Sequence, residues 1–231
     1  MRIALADDEA DILKHMSYVV TAAGHEVDCF SNGADLVNAL TRDTYDLALI
    51  DWNMPRKTGL EVVEWATAAL PSPPPIILLT SRQDKDDIVR GLEAGACDYI
   101  IKPESDAVIT ARIEAAVRRN SPIEKPRYTD YRDYRLDRLD RSISFRQEPV
   151  QLTSKEFELA ALLFENLNRP LSRSYLFSHV WGVQTDLETR TIDMHISRLR
   201  TKLSLKPENG YTIRTVFGFG YRMDQYDEPA S

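Results

Sequence analysis

Asp51 closes the apolar run "LALID" (47–51), four residues ahead of Pro55. A carboxylate there is costly to bury unless something nearby needs its charge. Two more acids, Asp7 and Asp8, follow the first apolar run, "RIALA" (2–6). Three carboxylates brought together repel, and each raises the others' pKa unless a cation sits among them. A hard, oxygen-liganded ion resolves that repulsion. Mg²⁺, which keeps several waters, suits so few protein ligands. Thr80 and Lys102 end two further runs and add a hydroxyl and an ammonium, the donors a transferred phosphoryl group needs. A carboxylate can itself be the nucleophile, giving an aspartyl-phosphate, and Asp51 is the candidate. For any single Asp, a solvated loop acid or strand cap is the commoner reading. Five suitable residues at five separate positions make coincidence the weaker explanation.

These residues meet only if the runs that carry them lie side by side. Strand candidates are 2–6, 26–30, 46–50, 76–80 and 98–102. Between the first two, Ile12, Leu13, Met16, Val19, Val20 and Ala23 fall on one face of a helix. Helical patterns at about 33–41, 59–70, 84–94 and 105–119 complete five βα units, which imply a parallel sheet with helices on both faces. The fold expected is α/β, a flavodoxin-like (βα)5 domain with strand order 2-1-3-4-5 and a crevice beyond the strands' carboxyl ends. In that order the first and third strands are neighbours, so Asp7, Asp8 and Asp51 converge. Thr80 and Lys102 reach the same edge.

The chain of 231 residues has a net charge of −7, which read whole argues against nucleic acid. Its halves differ. Residues 1–120 hold 12 Lys+Arg against 20 Asp+Glu, net −8; the remaining 17 and 16 leave residues 121–231 at +1, with 13 of the 17 cations Arg. An acidic module is joined to one that can carry a basic face. Cys29 and Cys97 lack metal-ligand spacing and His15, His25, His179 and His195 are scattered, so packing or surface roles are expected for all six. A reduced, cytoplasmic setting is expected from those cysteines, together with the lack of a signal-peptide pattern or a membrane-length apolar run.

After a proline-bearing linker at 120–128, residues 134–152 alternate like a small antiparallel sheet, whose repeated Arg and Asp suggest a solvated strand face. Thr153 and Glu156 form a capping box for a helix burying Phe157, Ala160, Ala161 and Phe164. A second helix runs from near Ser172 to Gly182, a third over about 188–203, and 211–223 reads as a hairpin turned by Gly218 and Gly220. On the third helix, Ile192, Ile196, Leu199 and Leu203 lie within about 60° of one another at 100° per residue, a buried face. Opposite them fall Arg190, Met194, Ser197, Arg198 and Thr201, with Arg200 and Lys202 on the flanks. Those types suit hydrogen bonds to bases or phosphates, and Met194 suits a thymine methyl. A solvated cationic face is the plainer reading of an isolated helix. The order helix, helix, Gly-turned hairpin, that of an α+β winged helix-turn-helix domain, favours DNA.

"LADDE", "LALIDWNMPRKTG", "LLTSR" and "DYIIKP" resemble the receiver domain of two-component response regulators over about residues 1–119. The resemblance implies that Asp51 accepts a phosphoryl group from a sensor histidine kinase. It implies that Asp8, Asp51 and the Asn53 carbonyl bind Mg²⁺, with Asp7 acting through water. Thr80 and Lys102 would hold phosphoryl oxygens, the Lys102–Pro103 bond would be cis, and Tyr99 would be the switch aromatic coupled to Thr80. No enzymatic activity is expected beyond Mg²⁺-dependent self-phosphorylation and self-dephosphorylation at Asp51.

"LTSKEFELAALLFEN", "LSRSYLFSHVW", "ETRTIDMHISRLRTKL" and "IRTVFGFGYRM" resemble the effector domain of the OmpR/PhoB family, giving a DNA-binding domain over 129–226. By that resemblance Trp181, Arg190, His195, Arg200, Thr215 and Tyr221 hold phosphates, Arg198 reads a base, and the hairpin approaches the minor groove of double-stranded DNA. RNA polymerase is a further partner implied. A homodimer is implied through the receiver's α4-β5-α5 face: the helix at 84–94, the strand at 98–102 and the helix at 105–119. Cys97 and Glu104 stand where the family commonly has Asp and Phe, which alters that face; Asp86, Arg90, Asp98, Arg112 and Arg118 remain available for pairing across it. Phe217 at the hairpin tip leaves Arg214 or Arg222 to supply any cationic minor-groove contact.

Two rivals differ from a phosphorylation-controlled regulator. A haloacid-dehalogenase-type phosphatase also uses a strand-end Asp nucleophile but typically carries a second Asp two residues on, where this chain has Asn53, incapable of proton transfer. A constitutive or protein-contact-regulated DNA binder keeps the fold and drops the switch.

Overall fold

The computed structural model describes residues 1–81, 85–120, 126–182 and 189–226; the side chains of Lys85, Arg119, Asn120, Thr189 and Arg190 lie outside that description. The chain divides into two compact units, Met1–Ile123 and Glu124–Ser231.

In the first unit, β1 (Arg2–Ala6), β2 (Glu26–Phe30), β3 (Leu47–Asp51), β4 (Ile76–Thr80) and β5 (Asp98–Ile101) form one sheet in the order β2-β1-β3-β4-β5. All its pairings are parallel. Every residue of β3 and β4 is buried, as expected of central strands covered on both faces. Side-chain alternation sorts them. Leu47 and Leu49 face α1 (Ala10–Ala22) and α5 (Asp106–Asn120), packing with Met16, Val20, Ile109 and Ile113. Ala48 and Ile50 face α2 (Gly33–Arg42) and α3 (Gly59–Ala69), packing with Leu36, Leu40, Val62 and Val63. Asn32 caps α2, and a Thr58/Glu61 capping box starts α3. The helix α4 is Lys85–Ala94.

The second unit opens with a four-stranded antiparallel sheet of β6 (Tyr128–Tyr131), β7 (Tyr134–Asp137), β8 (Ser142–Phe145) and β9 (Glu148–Val150). Among the described residues, three α-helices follow: α6 (Ser154–Glu165), α7 (Arg173–Trp181) and α8 (Thr189–Lys202). A short β10 (Leu171–Ser172) joins the hairpin of β11 (Tyr211–Val216) and β12 (Gly220–Gln225) in the order β10-β12-β11. Ile192, Ile196, Leu199 and Leu203 are all fully buried against Leu159, Leu163, Leu176 and Met223. Tyr134 ties the first sheet to the end of α8, its hydroxyl donating to the Leu203 carbonyl at 2.8 Å.

Several expectations need correction. The linker expected at 120–128 loses both ends: Asn120 belongs to α5 and Tyr128 to β6, while 121–125 lie outside the described residues. Gly220 is not a turn residue. Val216 pairs with Gly220, the turn is 217–219, and a Cβ on Gly220 would meet the Leu171 carbonyl oxygen at 2.1 Å. The Arg/Asp repeat is largely a solvated face, as expected, with Arg135, Asp140, Arg141 and Arg146 exposed; the exception is Asp137, buried and paired with Arg127.

Candidate functional site

The parallel order brings the carboxyl ends of β1 and β3 together, and with them Asp7, fully buried, and Asp51, nearly so. Lys102, just past β5, reaches across the ends of β4 and β3. Its Nζ lies 2.5 Å from Asp51 Oδ1 and 2.6 Å from Asp7 Oδ2. Asp51 Oδ2 accepts the Asn53 backbone N–H at 2.7 Å, and Asp7 Oδ1 accepts the Glu9 N–H at 3.0 Å. Gly59 lets the intervening loop return: its N–H donates to the Trp52 carbonyl at 2.9 Å, and a Cβ there would meet the Asp51 carbonyl oxygen at 2.3 Å.

Burial pushes the Asp51 carboxyl above its ordinary pKa, the nearby Asp7 adding to this, while Lys102 and the Asn53 N–H pull it back. Burial would lower the Lys102 ammonium, but the hydrogen bonds it donates to Asp51 and Asp7 hold it above its usual value. The site thus keeps a desolvated carboxylate beside a firmly charged cation.

A cleft opens over this group, lined by Asp8, Asp51, Asn53 and Lys102, and bordered by Glu9, His15 and Glu104. Asp8 and Asn53 are exposed in it. Among the described residues, no three carboxylate, imidazole or thiol groups close on one point tightly enough to enclose an ion. The Asp8 and Asp51 carboxylates at this open cleft are oxygen donors of the kind that suits Mg²⁺. Thr80 is buried at the end of β4 and shares a second pocket, beneath α4, with Tyr99, Trp52 and Gly91. The Lys102–Pro103 peptide is cis. Sequence reasoning missed the direct Asp7–Lys102 contact, for which spacing holds no signal, since it spans two intervening strands.

In the second unit the structure separates the residues expected at DNA. Met194, Ser197, Arg198 and Thr201 are exposed on one face of α8, with Thr215 exposed on β11. The Arg190 side chain lies outside the described residues. Arg200 turns inward instead, its Nε and Nη2 donating to the Ile213 carbonyl at 3.0 and 2.7 Å. Lys202 pairs at 2.7 Å with the buried Glu156. Tyr221 is buried and donates to Asp193 at 2.6 Å, a residue that sequence reasoning passed over and that Arg173 also contacts at 3.2 Å. Trp181 stacks on Phe177 and meets His195 edge-on at 5.0 Å, while His195 Nδ1 contacts the Thr191 carbonyl. Both wing arginines are engaged: Arg214 lies 2.9 Å, and Arg222 2.5 Å, from Asp224. Arg112 likewise pairs with Asp98 within the chain at 2.8 Å.

Residues 3–114 match the family described as the response regulator receiver domain, and residues 147–223 match the transcriptional regulatory protein, C terminal, family. The phosphate regulon transcriptional regulatory protein PhoB of Escherichia coli is 34% identical over 223 residues, 96% of each chain. The DNA-binding response regulator MtrA of Mycobacterium tuberculosis is 32% identical over 223 residues, also 96% of each chain. The receiver domain of a Francisella response regulator superposes with a TM-score of 0.50 at 22% identity, covering 52% of this chain and 98% of that one; it shares the fold of the first unit.

Proposed function

The chain belongs to the OmpR/PhoB-type two-component response regulators, a receiver joined to a DNA-binding effector domain, and from that premise we propose that phosphorylation of Asp51 by a sensor histidine kinase controls dimerisation and sequence-specific DNA binding to regulate transcription. The observation that carries this reading is the Asp51 carboxylate at the cleft, held between the Lys102 ammonium and the Asn53 N–H. An Asp51 oxygen attacks the phosphorus of a phosphohistidine. The O–P bond forms as the P–N bond breaks, and the histidine, already protonated on its other ring nitrogen, leaves as neutral imidazole. Lys102 neutralises charge on the phosphoryl oxygens, and Thr80 supplies a hydroxyl donor on the side facing Tyr99. Mg²⁺, held by Asp8, Asp51 and the Asn53 carbonyl, would supply the further positive charge this transfer needs. Exposed Arg198, Ser197, Thr201 and Met194 form the surface offered to the major groove, and the cleft's chemistry serves regulation rather than turnover of an external ester.

Incubation with acetyl phosphate and Mg²⁺ tests the reading by mass spectrometry. One hydroxylamine-labile phosphate is expected, absent in Asp51→Asn and after chelation of the metal. Label that survives in Asp51→Asn would sink the assignment.

A further inference from the structure

We propose that the hairpin tip carries an apolar wedge, Phe217, which enters the minor groove of bound DNA and unstacks one base step; this rests on the DNA-binding reading above. Phe217 is 95% exposed, more than any other large apolar side chain among the described residues. It stands in the three-residue turn between the paired Val216 and Gly220, where Gly218 takes a left-handed φ of 71°. That tight turn sits on a fixed base. Arg200 holds the β11 carbonyl of Ile213 from α8, and Tyr221 of β12 donates to Asp193 of α8. An aromatic ring is therefore presented at a set distance from the helix that carries Arg198.

The charges that would otherwise make a wing contact are committed elsewhere. Arg214 and Arg222 both pair with Asp224, so the tip offers a ring rather than a cation. Apolar side chains that meet the minor groove act as wedges, partly unstacking a step and bending the duplex away. Pyrimidine–purine steps unstack most readily, so the wedge reads deformability. Phe217 would thus add a preference for a TA or CA/TG step under the wing, outside the bases that α8 reads.

The test uses the intact chain, treated with beryllofluoride and Mg²⁺, on duplexes that the wild type selects from a random-sequence pool. 2-Aminopurine is walked through the flanking minor groove. Wild type should raise its fluorescence at one step, and Phe217→Ala should abolish that rise and weaken binding about tenfold, the scale of one lost base–aromatic contact. Phe217→Leu should keep most of both effects. The salt dependence should be unchanged in Phe217→Ala and steeper by about one unit in Phe217→Arg, which adds a phosphate contact. Replacing the flexible step by AA should erase the difference between wild type and Phe217→Ala. If Phe217→Ala binds as tightly as wild type and no step brightens, the wedge is wrong while DNA binding stands. If the wild type selects no duplex at all, the DNA-binding reading fails and the wedge with it.

Discussion

The Lys102 ammonium lies 2.5 Å from Asp51 and 2.6 Å from Asp7, so one cation faces two buried carboxylates. Removing it leaves both acids uncompensated, and breaking such a buried pair costs about 3–5 kcal/mol. Asp51 already sits above its ordinary pKa of 3.8. A carboxyl raised in the folded state destabilises the fold once ionised, and that loss sets in as pH rises from the unfolded value through the folded one. Lys102 has the opposite sign: its raised pKa contributes stability that is full below 10.5 and lost as pH rises through the folded value. Lys102→Met should therefore trail the wild type little near pH 4 and much more at pH 7 in thermal melts. Added Mg²⁺ should restore more stability to the variant than to the wild type. A deficit equal at both pH values would rule out an electrostatic origin. The residue types here were legible because each acid, hydroxyl or amine interrupts an apolar run at a strand end. How far a lysine stem reaches across two neighbouring strands was not, because side-chain paths leave no trace in spacing.

At the scale of elements, the α8 periodicity identified its buried face correctly, since Ile192, Ile196, Leu199 and Leu203 are all inside. Flank positions were less legible. A helical wheel places Arg200 and Lys202 beside the DNA face but contains no strand or neighbouring helix to attract them. The structure supplies both, the Ile213 carbonyl for Arg200 and Glu156 for Lys202. Arg198 and Arg200 of this helix should then separate cleanly. Arg198→Ala should leave melting unchanged and relax preference at one or two base positions, about 1–3 kcal/mol of discrimination. Arg200→Ala should lower effector stability by about 1–2 kcal/mol through its lost hydrogen bonds to the strand. Melting curves and titrations on single-base variants decide it, and an Arg200→Ala that melts as the wild type would overturn the inward assignment. Gly220→Ala belongs to the same scale. Its Cβ would press on the Leu171 carbonyl, and overpacking against backbone should cost about 1–3 kcal/mol, seen as a lowered midpoint in urea. A glycine near a turn reads as a turn signal in sequence; the close approach of a third strand, β10, becomes visible only once the sheet is assembled.

For the whole molecule, charge constrains how the receiver can act on DNA. The first 120 residues carry −8 and the rest +1, so the receiver repels the duplex, and a phosphate on Asp51 adds to the repulsion. Phosphorylation cannot raise DNA affinity by electrostatics. It can do so by pairing two chains, since a second effector held near a second half-site binds as if at high local concentration. On the proposed reading, dimerisation follows from a receiver state that phosphate contacts favour, because equal affinity for both states shifts nothing. Beryllofluoride with Mg²⁺ should therefore dimerise the receiver, read by sedimentation. It should tighten binding of the intact chain to a site with two half-sites by tenfold or more, within the range linkage provides. On a duplex with one half-site it should change affinity little. Arg112, engaged with Asp98 inside the chain, need not break its pair for this, but Arg112→Ala should weaken the activated dimer if that pair also faces the second chain. Equal tightening on one and two half-sites would mean that phosphate acts within a single chain rather than by pairing receivers.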